Sequence, residues 1–145
     1  MEAAAATAKK LPARCRFPAS ATILLTGNAH IRQLNRDFRG IDRPTNVLSF
    51  PQYEPEEIIK QKNKKTIVEI GDIALAYQYV LSESKRDNKA LLDHITHLVV
   101  HGLLHLYGYD HGSDDEAEKM ERKEIDILKL INIENPYAAA GEKNK

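Results

Sequence analysis

The chain has 145 residues, 42% of them apolar and 29% charged, with 21 basic residues against 21 acidic ones and a formal net charge of zero. That length suits one domain, residues 1–145, with a core burying about 68–70% of the unfolded surface. The balanced charge excludes a disordered chain of one-sided charge and a highly basic polymer binder. The one cysteine, Cys15, excludes an internal disulfide and a Cys-rich zinc module, and it fits a reducing cytoplasm. No run approaches the roughly 20 apolar residues of a membrane helix, so no membrane partner is expected.

In chain order, Met1–Lys10 is Ala-rich with its lysines after the alanines, the reverse of an export signal. It reads as a frayed helix start, with residues 1–20 and 132–145 loosely ordered. Ala21–Thr26 is a short β-branched run and reads as a strand. Asn28 can cap a helix carrying Ile31, Leu34 and Phe38 at helical spacing, broken by Gly40 and Pro44. Val47–Phe50 reads as a second strand ended by Pro51. Gln52–Lys65, polar and irregular, reads as a long surface loop. Ile67–Leu75 is a third strand and Tyr77–Lys85 a helix. Leu91–Leu106 is a strongly apolar helix ended by Gly108. Asp114–Ile131 is an amphipathic helix with acidic residues in its first turn, where the dipole favours them. Strands early and helices late predict an α/β chain of α+β layering: a small sheet with helices packed on it.

The segment 101–111 reads HGLLHLYGYDH. His101 and His105, four apart, share one helix face with Cβ atoms about 5–6 Å apart. Gly108 can take φ > 0 and turn the chain sharply, returning His111 as a third ligand. Three histidines and an open fourth position form the layout of a catalytic zinc site, here at the end of a central helix. His97 and His101 are also four apart, but only His101 and His105 adjoin a turn carrying another histidine. His97 then supports or packs, and His30 has no partner at ligand spacing. The same spacing occurs in metzincin proteases, where Glu follows the first histidine as general base. Here that residue is Gly102, which does no acid–base work, so a peptidase is not expected. Met120, with Ile125 and Leu128 at helical spacing, reads as core.

With these histidines, Leu34–Arg39 (LNRDFR), Pro44–Pro51 (PTNVLSFP) and Gly71-Asp72-Ile73, the chain resembles the YbeY family of bacterial metal-dependent endoribonucleases, over about Ile23–Ile131. The resemblance implies a small mixed sheet with helices around it, and one zinc ion on His101, His105 and His111. It implies cleavage of single-stranded RNA, maturation of the 3′ end of small-subunit rRNA, and ribosome quality control. The small ribosomal subunit and its assembly factors are then partners; DNA is not expected. It also marks Arg39 as functionally important. The family carries a further strand and a fuller helix before the segment matching Ala21–Thr26. The 20 residues here hold little strand signal, so either the sheet is one edge strand short or the start lies elsewhere.

A metal on three neutral imidazoles activates water near neutral pH and polarises a phosphoryl oxygen. An arginine fork stabilises the charge of a phosphodiester transition state, and Arg39 is the candidate; its alternative is a structural pair with Asp37, Asp42 or Asp72. Asp72 and Asp110 can orient a ligand or a water. Tyr53, Tyr107 and Tyr109 can stack on unpaired bases. From Lys9 to Arg43 there are eight basic residues against two acidic; from Asp110 to Asp126, eight acidic against three basic. A polyanion approaches the first surface and avoids the second. Two other readings stand beside the endoribonuclease: a non-catalytic ribosome-associated zinc-binding assembly factor, and a metal hydrolase of small phosphates or amides.

Overall fold

The computed structural model describes residues 2–12, 15, 17–62 and 64–138. Its elements are α1 (Glu2–Lys10), β1 (Ala19–Thr26), α2 (Asn28–Arg39), β2 (Val47–Pro51), α3 (Pro55–Ile59), β3 (Val68–Ala76), α4 (Tyr77–Arg86), α5 (Leu91–Leu106) and α6 (Asp114–Leu130). Among the described residues the sheet has three strands, in the order β1-β3-β2. β1 runs parallel to β3 and β2 antiparallel to it, so the sheet is small and mixed, as expected.

β3 is the central strand, and its apolar pattern changes parity. Val68 and Ile70 are buried at even positions, whereas Ile73 and Leu75 are buried at odd ones. All four join the core that includes Leu98, Val99 and Leu103 of α5. The change falls at a bulge: Ser20 pairs with Glu69 and Ala21 with Gly71, leaving Ile70 as the extra residue. A one-residue slip sends every following side chain to the other face; here it keeps both halves of β3 facing α5. Gly71 accommodates this with φ 143, and a Cβ there would lie 2.3 Å from the Phe50 carbonyl oxygen. The other face of β3 presents Ala74 and Ala76 to Ile31 of α2.

α5 comes close to the sheet at Gly102. A Cβ at this position would lie 2.9 Å from Ile73 Cδ1. The position that holds a general base in a peptidase therefore has no room here even for a methyl group.

Three expectations are corrected. The segment expected to be loose before residue 20 contains α1, which buries Ala3, Ala6 and Thr7. Lys123 Nζ of α6 donates to the Lys10 carbonyl at 3.0 Å, satisfying the end of α1. Asn28 is the first helical residue, not the cap; Gly27 holds the cap position, and Gln78 Oε1 takes the Asn28 N–H at 3.2 Å. The expected loop 52–65 includes α3, started by Pro55 and anchored by Ile58, which is 1% exposed. Pro at the first helical position costs no hydrogen bond, so it starts a helix rather than breaking one. Residues 132–138 are held down too: the Ile133 N–H donates to the Leu128 carbonyl, and Lys89 Nζ donates to that of Pro136. Residues 139–145 lie outside the described residues.

Candidate metal centre

The C-terminus of α5 builds the site. Tyr107 caps the helix and Gly108 follows with φ 100. The Gly108 N–H donates to the His105 carbonyl and the Tyr109 N–H to that of Leu104, both at 3.0 Å. This is the paired closure of a Schellman turn. It reverses the chain and returns His111 to the helix. The ring centroids of His101, His105 and His111 then lie 4.7, 4.8 and 5.7 Å apart. One ligand nitrogen from each ring lies within 4.8 Å of the others.

Two of the three rings are oriented by hydrogen bonds from Nδ1. His101 Nδ1 donates to Glu124 Oε1 at 2.8 Å, and His105 Nδ1 donates to the Tyr109 carbonyl at 2.9 Å. Both rings then turn their Nε2 lone pairs inward, and the two nitrogens stand 3.2 Å apart. Two neutral lone pairs at this distance repel unless a cation lies between them. Two ligands at about 2.0–2.1 Å from a tetrahedral zinc ion are themselves about 3.3–3.4 Å apart. The donor set therefore fits a divalent metal ion, and these three side chains can hold one. Burial, together with the neighbouring rings of His101 and His111, lowers the His105 pKa to about 4, which keeps this ligand unprotonated at neutral pH.

Glu124 was not evident from the sequence, yet it organises the back of the site. It is fully buried, at 0% exposure. Its Oε1 accepts from His101 and, at 3.2 Å, from His97 Nε2; its Oε2 accepts from the Tyr137 hydroxyl at 2.6 Å. Burial works to raise this carboxyl's pKa, but the hydrogen bonds from His101, His97 and Tyr137 outweigh it and hold it at about 2. The sequence signal was available: Glu124 lies on the same stripe of α6 as buried Met120, Ile127 and Leu128. A charge on an apolar stripe needs partners. His97 serves as support, as the spacing suggested. His94 bonds to Glu83 instead, with Nε2 3.1 Å from Oε1, and His30 bonds to the Thr26 hydroxyl at 2.9 Å.

The triad opens into a cavity of about 640 Å³ that is also lined by Arg39, Phe38, Tyr53 and Tyr109. The three carboxylates offered as alternative partners leave Arg39 alone: Asp37 pairs with Arg36 and Asp42 with Arg32, and Asp72 makes no ion pair among the described residues. Asp110 serves its own turn, its Oδ1 accepting the His111 N–H at 2.8 Å, and it orients no ring nitrogen. Tyr107 does not line this cavity; it packs into the core against Phe17, with ring centroids 6.1 Å apart. Phe38, expected on the inner face of its helix, is 68% exposed and meets Phe50 edge-on at 5.2 Å.

A helix-borne histidine pair, a returning third histidine and a buried supporting carboxylate define an α/β protein with a candidate metal centre. The family model described as "Endoribonuclease YbeY" matches residues 2–132, and the chain belongs to that family. A protein named Endoribonuclease YbeY from Bradyrhizobium diazoefficiens is 48% identical over 120 residues, covering 83% of this chain and 64% of that protein. One of the same name from Azorhizobium caulinodans is 47% identical over 125 residues, covering 86% and 74%. The chain thus spans slightly less than two thirds of the Bradyrhizobium protein, and 61% of a further relative from Rhodopseudomonas palustris. Its fold is similar to the solution structure of TM1509 from Thermotoga maritima, with a TM-score of 0.54 and 24% identity over 95% of this chain and 87% of that one.

Proposed function

We propose that the chain is a zinc-dependent endoribonuclease that cuts single-stranded RNA in rRNA maturation, with the metal on His101, His105 and His111 and Arg39 as the phosphate-binding group. One observation carries the reading: three imidazoles converge on one point, in a cavity that also holds an arginine, Arg39, with no ion-pair partner among the described residues. Membership of a family whose named members are endoribonucleases supports RNA as the substrate class.

A divalent ion bound by the three histidines supplies Lewis acidity toward a phosphoryl oxygen and a nucleophile from water near neutral pH. The protein's own groups do the rest. Glu124 and the Tyr109 carbonyl fix two of the rings with Nε2 inward. Arg39 offers a planar fork to the non-bridging oxygens of the scissile phosphate, where charge builds up. Phe38, Tyr53 and Tyr109 offer aromatic surface to unpaired bases, which is the source of a single-strand preference. Among the described residues no fourth protein ligand joins the triad, and this favours a catalytic over a structural metal. The reading places the action on RNA in the cytoplasm beside the small ribosomal subunit and its assembly factors; no helix among the described residues is long and apolar enough to cross a membrane.

Arg39→Ala tests the division of labour. It should keep zinc content and melting temperature and lower RNA cleavage about 10²–10³-fold, the usual loss for one oxyanion-stabilising donor. An unchanged rate removes Arg39 from the reaction.

A further inference from the structure

We propose that Tyr137 is a positioning residue for the metal centre, acting on His101 through Glu124 from a C-terminal segment beyond the family match. The proposal rests on the reading of the triad as a metal centre. Tyr137 lies five residues past the last residue that the family model matches, so this contact is a feature of this chain rather than of the matched pattern.

Glu124 is a carboxylate with no exposure to water. Its Oε1 serves His101 and His97, and the only hydrogen bond to its Oε2 among the described residues is the 2.6 Å one from Tyr137. A carboxylate oxygen buried without a donor costs far more than a hydrogen bond made elsewhere returns. Without the hydroxyl, Glu124 has to turn to find a donor for Oε2. That turn weakens the acceptor that holds His101 in its Nδ1–H tautomer. The ring then also populates the Nε2–H form, which presents no lone pair to a metal. His97 closes the network, with its Nε2 3.3 Å from the Tyr137 oxygen and 3.2 Å from Glu124.

The geometry of Tyr137 points to the hydroxyl rather than the ring as its working part. The residue is 42% exposed, and its one ring contact among the described residues is an edge-on one with His97, centroids 5.4 Å apart. The segment is also held to α5's start by Lys89 and back to α6 by Ile133. Tyr137→Phe therefore removes the Glu124 donor and leaves the anchoring in place.

The test uses the full chain. Cobalt(II) affinity is measured by competition with a chelator, alongside the visible cobalt spectrum, for the native chain, Tyr137→Phe, Glu124→Gln and His105→Ala. Long-range proton–nitrogen correlation of the metal-free proteins reports the His101 tautomer directly. Outer hydrogen-bond partners of metal-bound histidines are worth about 10–100-fold in affinity. Tyr137→Phe should weaken cobalt binding about tenfold and move His101 away from the pure Nδ1–H form, with the metal-free melting temperature little changed. Glu124→Gln should weaken binding further; if it does not fold, Tyr137→Phe alone decides. Native affinity and an unchanged His101 tautomer in Tyr137→Phe overturn the proposal while leaving the metal centre intact. Equal cobalt binding by the native chain and His105→Ala overturns the metal centre itself, and the proposal with it.

Discussion

At the scale of single residues, the histidine triad is legible in the sequence because a helix and a turn are local objects. His101 and His105 are placed by helical periodicity, and His111 by a glycine that closes the turn. Glu124 and Tyr137 reach the same site from α6 and from the segment after it, and no local spacing relates them to the histidines. Gly102 had a chemical meaning in the sequence, as the absence of a peptidase base; its structural meaning is closeness to Ile73. Gly102→Ala should cost about 1–3 kcal/mol of stability, the range for overpacking a filled core, measured by denaturant unfolding; a neutral substitution would mean that α5 and the sheet separate freely. A second prediction concerns pH. The His105 imidazole titrates at 6.5 ordinarily and at about 4 in the folded chain. The unfolded state therefore binds the proton first, and stability of the metal-free chain is lost as pH falls from 6.5 toward 4. Glu124 adds a lower step: its contribution is complete above 4.5 and is lost as pH falls toward 2. Thermal melts across this range should show both steps, and His105→Ala should lack the upper one. A melting temperature level from pH 7 to 4 in the native metal-free chain would contradict the His105 assignment.

At the scale of elements, all three strands and the four longer helices from α2 onward follow from periodicity and breakers, with ends within two residues. α1, read only as a frayed helix start, and α3, read as loop, share a cause. Their sequences carry few large apolar residues, so no periodic stripe announces them. α1 buries alanines against α5 and α6, and α3 buries one isoleucine; tertiary packing decides both. The bulge in β3 was also invisible, because a parity change at Gly71 reads simply as a less regular strand. β1 lies at the sheet edge with Leu24 and Leu25 exposed, Leu25 at 56%. Such an edge favours strand-to-strand association. Leu25→Lys should leave unfolding free energy within about 0.5 kcal/mol of native while lowering self-association in sedimentation velocity runs. A large loss of stability would instead place Leu25 in a packed interface within the chain.

At the scale of the whole molecule, zero net charge conceals a division. The basic run from Lys9 to Arg43 includes α2, whose last residue Arg39 lines the cavity, while the acidic run lies on the turn after α5 and on α6. Glu124 is counted in the acidic run but is fully buried, so its charge acts on the site and not on the surface. The sequence states how many charges there are; only the fold states which of them face solvent. Fold class and the convergence of the three histidines were therefore readable from one segment and its surroundings, whereas the hydrogen-bond frame behind them was not. The central claim is that the triad is the centre of an RNA-cleaving reaction. Its most direct test is cleavage of an end-labelled single-stranded RNA by the native chain and by His101→Ala, purified side by side. The account predicts cutting by the native chain with zinc and none by the variant; equal cutting by both would assign the activity to a contaminant and contradict it.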